Sequence, residues 1–161
     1  MTRVTKDVFE CITVEIYMEK TKNVIVRCIY RAPGSNMEIF REWFEQTYTV
    51  TSQKVFFICG DFNIDLIYSN NHKPTEEFIN TMYRLSLFPR ITRPSRITLN
   101  SATLIDNIFT NILDNNTISG LIIQHISDLP VFVVCDNFYM KNKEKIKPQF
   151  KRVRTEQSKC L

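Results

Sequence analysis

The sequence predicts a mixed α/β, or α+β, layered domain in which two helices pack on a sheet. Three observations predict it: strand-like apolar runs early in the chain, two amphipathic segments at helical spacing, and three later strand-like runs with no helix between them.

Residues 9 to 18, Phe-Glu-Cys-Ile-Thr-Val-Glu-Ile-Tyr-Met, alternate around Ile12, Val14 and Ile16 as a strand with one buried face does. Val24 to Tyr30 carries β-branched Val24, Ile25, Val26 and Ile29, which fit a half-buried pleated surface. The polar stretch Glu19 to Asn23 joins the two runs as a hairpin. Ser35 and Glu38 have the spacing of a capping box, followed by Ile39, Phe40, Trp43 and Phe44 at helical spacing, so a helix is expected from about Asn36 to Thr47. Lys54 to Cys59 has the length and composition of a strand buried on both faces, ending at Gly60. Phe78, Ile79, Met82, Leu85 and Leu87 predict a second helix over Thr75 to Leu87, with Glu76 and Glu77 near its positive N-terminal end. Leu104 to Thr110, Thr117 to Ile123 and Val131 to Cys135 are expected as consecutive antiparallel strands separated by Asn-rich or Asp-rich turns.

A chain of 161 residues, 43% of them hydrophobic, is sized for one domain with a core, which excludes a multidomain enzyme. Three glycines and six prolines exclude a low-complexity chain. The net charge of +4 is uneven: residues 141–161 carry +6, leaving −2 for residues 1–140. The expected organisation is therefore a domain over 1–140 and a basic tail over 141–161, which either contacts phosphate backbones or is a solvated terminus. Cys11, Cys28, Cys59, Cys135 and Cys160 form an odd set without C-x-x-C spacing, which fits a reducing, intracellular compartment and argues against a disulfide scaffold. The first residues lack an apolar signal core, and no run reaches the roughly 18 apolar residues of a membrane span.

Gly60-Asp61-Phe62-Asn63 places a carboxylate and a carboxamide two residues apart at the end of a buried strand, where both would face one way. Such a pair can orient a water and hold a phosphate oxygen, although the same four residues also make a common turn. Asp106 lies inside an apolar strand, where a carboxylate costs several kcal/mol unless it has a partner. Asp128, before Leu129-Pro130, is either functional or the start of a turn.

The ordered combination of Cys28-Ile29-Tyr30-Arg31-Ala32-Pro33, Ile58-Cys59-Gly60-Asp61-Phe62-Asn63, Leu104-Ile105-Asp106-Asn107-Ile108-Phe109 and Ser127-Asp128-Leu129-Pro130 resembles an endonuclease/exonuclease/phosphatase domain. More narrowly it resembles the nuclease of LINE-type (non-LTR) retrotransposons, over about Phe9 to Phe138. G-D-F-N alone is shared with phosphatases of the same architecture; Y-R-A-P and L-I-D-N-I-F favour the retrotransposon branch. The resemblance implies divalent-metal-assisted hydrolysis of DNA, with Mg²⁺ or Mn²⁺ weakly bound. It assigns Tyr30 to the scissile phosphate, Asp61 to the attacking water, Asn63 to transition-state stabilisation and Asp106 to orienting a histidine. Asp128 falls at the metal and phosphate, and Arg31 and Arg96 at the DNA backbone.

Two departures from the family pattern set further expectations. The family's catalytic histidine directly follows the last aspartate, whereas Leu129 stands there; His125 is about 13 Å away along an extended chain and is expected at a strand end or on the surface, like His72. The family domain also begins with strands bearing an asparagine and a metal-binding glutamate, and neither Glu10 nor Glu15 matches that motif. The expected fold is thus an incomplete four-layer sandwich lacking N-terminal strands, with open edges that favour self-association. The expected function is an endonuclease-like domain with impaired catalysis. The alternatives are a non-catalytic nucleic-acid-binding module using Arg90, Arg93, Arg96 and the basic tail, or a mobile-element relic.

Overall fold

The computed structural model describes residues 2–5, 8–48, 54–113, 117–122, 131–136 and 150–151, with side chains for 8–48, 54–113 and 119–120. In chain order the elements are β1 (Thr2–Thr5), β2 (Phe9–Ile16), β3 (Asn23–Arg31), α1 (Met37–Thr47), β4 (Lys54–Asp61), a 3-10 turn (Leu66–Tyr68), α2 (Lys73–Arg84), β5 (Phe88–Pro89), β6 (Arg96–Ile97), β7 (Ala102–Thr103), β8 (Asp106–Thr110), β9 (Thr117–Ile122), β10 (Val131–Asp136) and β11 (Phe150–Lys151). His125 and Asp128 lie outside the described residues, as does all of 141–161 except β11. From that basic tail, β11 pairs with β2.

The main sheet has seven strands, in the order β1-β2-β3-β4-β8-β5 with β11 also on β2. The expected hairpin of β2 and β3 is present, with Glu10 opposite Tyr30 and Ile16 opposite Val24. Its connection is closed by Asn23, whose Oδ1 accepts from the Met18 amide and whose Nδ2 donates to Glu15. Strand β4 lies parallel to β3, the arrangement that a crossover helix such as α1 permits. Strand β8 then runs antiparallel to β4. The three late runs therefore do not form one consecutive set. Strand β8 belongs to the main sheet, and only β9 and β10 pair with each other, as a separate antiparallel sheet.

Four local expectations are corrected. The cap of α1 is Asn36, whose Oδ1 accepts from the amides of Glu38 and Ile39; Ser35 instead donates its hydroxyl to the Val8 carbonyl and ties the helix entry to β2. Helix α2 begins at Lys73, two residues early, because Pro74 supplies a preset φ in the first turn. It ends at Arg84, where Ser86 takes a φ of 56° and turns the chain. Strand β4 does not stop at Gly60 but continues to Asp61, since pairing persists on both sides to Tyr30 and Asp106.

The helices cover one face of the sheet. There Phe40, Trp43 and Phe44 of α1 and Phe78 and Met82 of α2 pack on Phe9, Cys11, Ile25, Ile29, Ile58 and Phe109. Aromatic rings carry much of this core: Phe62 meets Phe109 edge-on at 5.2 Å, and Trp43 lies 4.5 Å from Phe9. The guanidinium of Arg27 sits over the Trp43 ring, 5.6 Å from its centroid. On the opposite face Val24, Phe57, Cys59 and Ile108 pack with Ile91 and Leu104 from the segment between α2 and β8.

Gly60 is required by close approach. Its φ is +155°, and a Cβ there would stand 1.8 Å from the Ile29 carbonyl oxygen of the neighbouring strand. Gly34 also has a positive φ, +70°, but nothing lies within 4 Å of a Cβ at that position. Gly60→Ala should therefore cost about 3 kcal/mol by overpacking backbone on backbone, whereas Gly34→Ala should cost only about 1 kcal/mol of left-handed strain. Urea midpoints of the two variants measure the difference; equal shifts would contradict the close approach.

Candidate active site

The parallel register sets Tyr30 beside Asp61, and the antiparallel register sets Asp61 beside Asp106. Residues in register on adjacent strands point to the same face, so three side chains named by the sequence form one row across β3, β4 and β8. The row lies on the face away from the helices, the face of Cys59 and Ile108. Burial deepens along it: Tyr30 is 46% exposed, Asp61 7% and Asp106 0%.

Arg96 closes the row. Its Nη2 donates to Asp61 Oδ2 at 2.7 Å, and its Nε lies 3.6 Å from Asp106 Oδ2. The β6–β7 hairpin brings it there, held by Ser95: the Ser95 amide donates to the Thr103 carbonyl, and the Ser95 hydroxyl accepts from the Ile105 and Asp106 amides. Asn107 anchors the preceding segment by exchanging two hydrogen bonds with the Ile91 backbone. Asp65 fixes the next approach, accepting from the Leu104 amide at 2.9 Å. The sequence pattern does not mark these three supports; only Asn107 stands next to an acid of the row, and Ser95 and Asp65 reach it through partners distant in sequence.

The remaining expected residues are used differently. Asn63 does not continue the strand alternation: its φ is 48°, and its amide donates back to Asp61 Oδ1 at 3.0 Å. Its side-chain Nδ2 donates to the Arg31 carbonyl at 2.7 Å, so Asn63 braces the loop and does not join the row. Arg31 is 3% exposed. Its Nη1 donates to the carbonyls of Phe62 and Asn63, and its Nη2 to that of Ser35. The Arg31 guanidinium is thus engaged by backbone carbonyls, in place of the surface position that the expected DNA contact calls for. Burial also lowers its pKa. Arg96, with 40% of its side chain exposed, remains reachable from solvent. Asp128 lies outside the described residues, so its expected place at the metal and phosphate has no geometry here.

A cavity of about 850 Å³ opens on the helix side, lined by Arg31, Asn63, His72, Thr75 and Glu77 among others. Tyr30, Asp61 and Asp106 do not line it, so this cavity and the acid row are separate features. His72 is exposed, as expected, and its Nδ1 pairs with the Thr75 hydroxyl at 2.9 Å.

Among the described residues, the acids as placed do not fit a divalent cation. Asp61 gives one oxygen to Arg96 and the other to the Asn63 amide, and Asp106 is closed to solvent. Among the described residues no group of three or more His, Cys, Asp or Glu side chains could hold a metal ion. Mg²⁺ usually takes one or two carboxylates together with waters and phosphate oxygens, whereas these carboxylates already face a guanidinium.

Burial raises the pKa of Asp106; the Asp61 charge adds to the rise, while Ser95 and Arg96 oppose it. A carboxyl whose folded value lies above its unfolded one favours the fold below the unfolded value. That contribution is lost as pH rises through the folded value. Stability should fall from the ordinary aspartate value upward, and Asp106→Asn should flatten that part of the profile. Urea midpoints at stepped pH for both proteins would show it; parallel profiles would contradict it.

No protein-family model matches this sequence, and no curated protein matches it. Among the described residues no helix is long and apolar enough to cross a membrane. Solved structures do match. One is the endonuclease domain of TRAS1, a telomere-specific non-LTR retrotransposon, with a TM-score of 0.57 and 16% identity over 77% of this chain and 60% of that one. Another is an endonuclease/exonuclease/phosphatase family protein from Leptotrichia buccalis, with a TM-score of 0.38 and 18% identity over 69% of this chain and 47% of that one. The chain thus spans about 60% of the length of the TRAS1 domain. With a mixed sheet and two helices on one face, the chain shares the fold of that endonuclease domain over the part it spans, an incomplete version of the four-layer architecture.

Proposed function

We propose that this chain is a retrotransposon-derived, endonuclease-like domain that binds DNA and has little or no phosphodiesterase turnover. The observation that carries the reading is Arg96, which bridges Asp61 and Asp106 at 2.7 Å and 3.6 Å. A nuclease of this type needs Asp61 free to position water and Asp106 free to orient a proton carrier. Here both face a fixed positive charge that cannot shuttle protons, since arginine stays protonated. Leu129 follows Asp128 where the resemblance expects the histidine. Loss of a general acid or base forfeits about 10² to 10⁴ in rate. Mg²⁺ or Mn²⁺, with Asp128 as the resemblance assigns it, belongs to the active relatives that the motifs point to.

DNA binding has its own support. Arg93 is exposed beside Arg90 and Arg96 on the segment that closes the acid row, and residues 141–161 carry +6. Cationic side chains on one edge of a phosphodiester site favour a polyanion and make its binding salt-dependent.

Supercoiled plasmid incubated with the full chain and Mg²⁺ or Mn²⁺ should be nicked no faster than with Asp61→Ala. Robust nicking abolished by that substitution would overturn the inactive reading. In a salt series, duplex DNA affinity should fall steeply, and Arg93→Ala should lower the slope of log K against log salt by about 0.9. Salt-insensitive or absent binding would overturn the binding assignment.

A further inference from the structure

Cys28 and Cys59 are directly opposite each other on the parallel strands β3 and β4. Their sulfurs lie 3.5 Å apart. Cys28 is exposed and Cys59 buried, so a reagent in solution meets one thiol first and finds the second behind it. Adjacent strands lie about 4.8 Å apart, inside the Cα separation of roughly 4.4 to 6.8 Å that a disulfide tolerates. A bond could therefore form by rotation of the two side chains, without moving either strand.

The two thiols differ in the way that a nucleophile and its resolving partner differ. The hydrogen bond from Cys59 favours the Cys28 thiolate and brings its pKa down to about 6, against the opposing effect of burial. The Cys59 thiol is pushed up by the hydrogen bond it makes to Cys28, by burial and by the neighbouring negative charge. Cys59 Sγ also lies 3.4 Å from the Arg27 carbonyl, a second acceptor for its proton. Thiolates, not thiols, attack disulfides, and a neighbouring thiol that holds the thiolate by a hydrogen bond is placed to complete the exchange.

We propose that Cys28 and Cys59 form a redox-active dithiol, a modification site for low-molecular-weight disulfides of the glutathione class. The Cys28 thiolate attacks one sulfur of oxidised glutathione; that disulfide breaks, and one glutathione leaves as the thiolate. The negative charge that held the Cys59 proton is then gone from Cys28. Cys59 gives its proton to the departing thiolate, and its sulfur attacks Cys28 Sγ and expels the second glutathione thiolate, which takes a proton from solvent. The protein dithiol has lost two electrons and the oxidant has become two glutathione molecules. The new bond would join β3 to β4 one side-chain repeat, about 7 Å, from Tyr30 and Asp61 on the same face. The inference stands on the two strands alone and is independent of whether the site binds or cuts DNA.

The test uses the full chain, reduced, freed of reductant and incubated with oxidised glutathione. Of its five thiols two should disappear, the intact mass should fall by two hydrogens, and non-reducing peptide mapping should join the Cys28 and Cys59 peptides. Cys59→Ser should instead accumulate a glutathione adduct on Cys28, and Cys28→Ser should leave Cys59 reduced. In the absence of oxidant, Cys28 should alkylate at neutral pH roughly tenfold faster than buried Cys11. Five thiols remaining, a lasting adduct on Cys28 of the unsubstituted chain, a link to any other cysteine, or alkylation no faster than at Cys11 would each overturn the proposal.

Discussion

One buried guanidinium organises the part of the molecule on which the acid row depends. Arg31 ends β3, and the carbonyls of Phe62, Asn63 and Ser35 surround its Nη1 and Nη2. Asn63 returns a hydrogen bond to the Arg31 backbone, so the end of β3 and the loop after β4 are fastened in both directions. Charge-assisted bonds of this kind are worth about 1.5 to 3 kcal/mol each, and losing the guanidinium would leave several buried carbonyls without a donor. Phe62, fixed between them, descends into the aromatic core against Phe109. The position of Asp61 is thus set from the loop behind it as well as by the two ladders beside it.

With Asp61 placed, the chemistry of the row is decided by charge. Two carboxylates on adjacent strands repel, and Asp106 is closed to water, so an unattended row would oppose folding. Arg96 relieves that opposition from above and Ser95 holds the hairpin that delivers it. The same contact that makes the acids tolerable removes them from solvent and from a cation.

What the sequence disclosed follows from range. The hairpin, the two helices and the central strand depend on periodicity over about ten residues, and Phe9–Ile16, Asn23–Arg31, Met37–Thr47 and Lys54–Asp61 all appear near their expected places. Tyr30, Asp61 and Asp106 were legible because each lies within a short, distinctive segment, and strand register aligned them. The failures involve partners distant in sequence. Nothing local marks Arg31 as buried and Arg96 as half exposed, since both are arginines beside apolar residues. Ser35 fitted a capping pattern, yet its hydroxyl found Val8, 27 residues away, and left the cap to Asn36. The two-residue strands β5, β6 and β7 carry no periodicity at all.

The single tryptophan adds a practical asymmetry. Trp43 is 6% exposed, enclosed by Phe9, Phe40, Phe44 and the Arg27 guanidinium on the helix side of the sheet. Intrinsic fluorescence excited at the indole therefore reads the integrity of that layer. It is screened by the sheet itself from events at Tyr30 and Asp61, so an unchanged emission spectrum on adding nucleic acid would speak for an intact core and say nothing of occupancy across the strands.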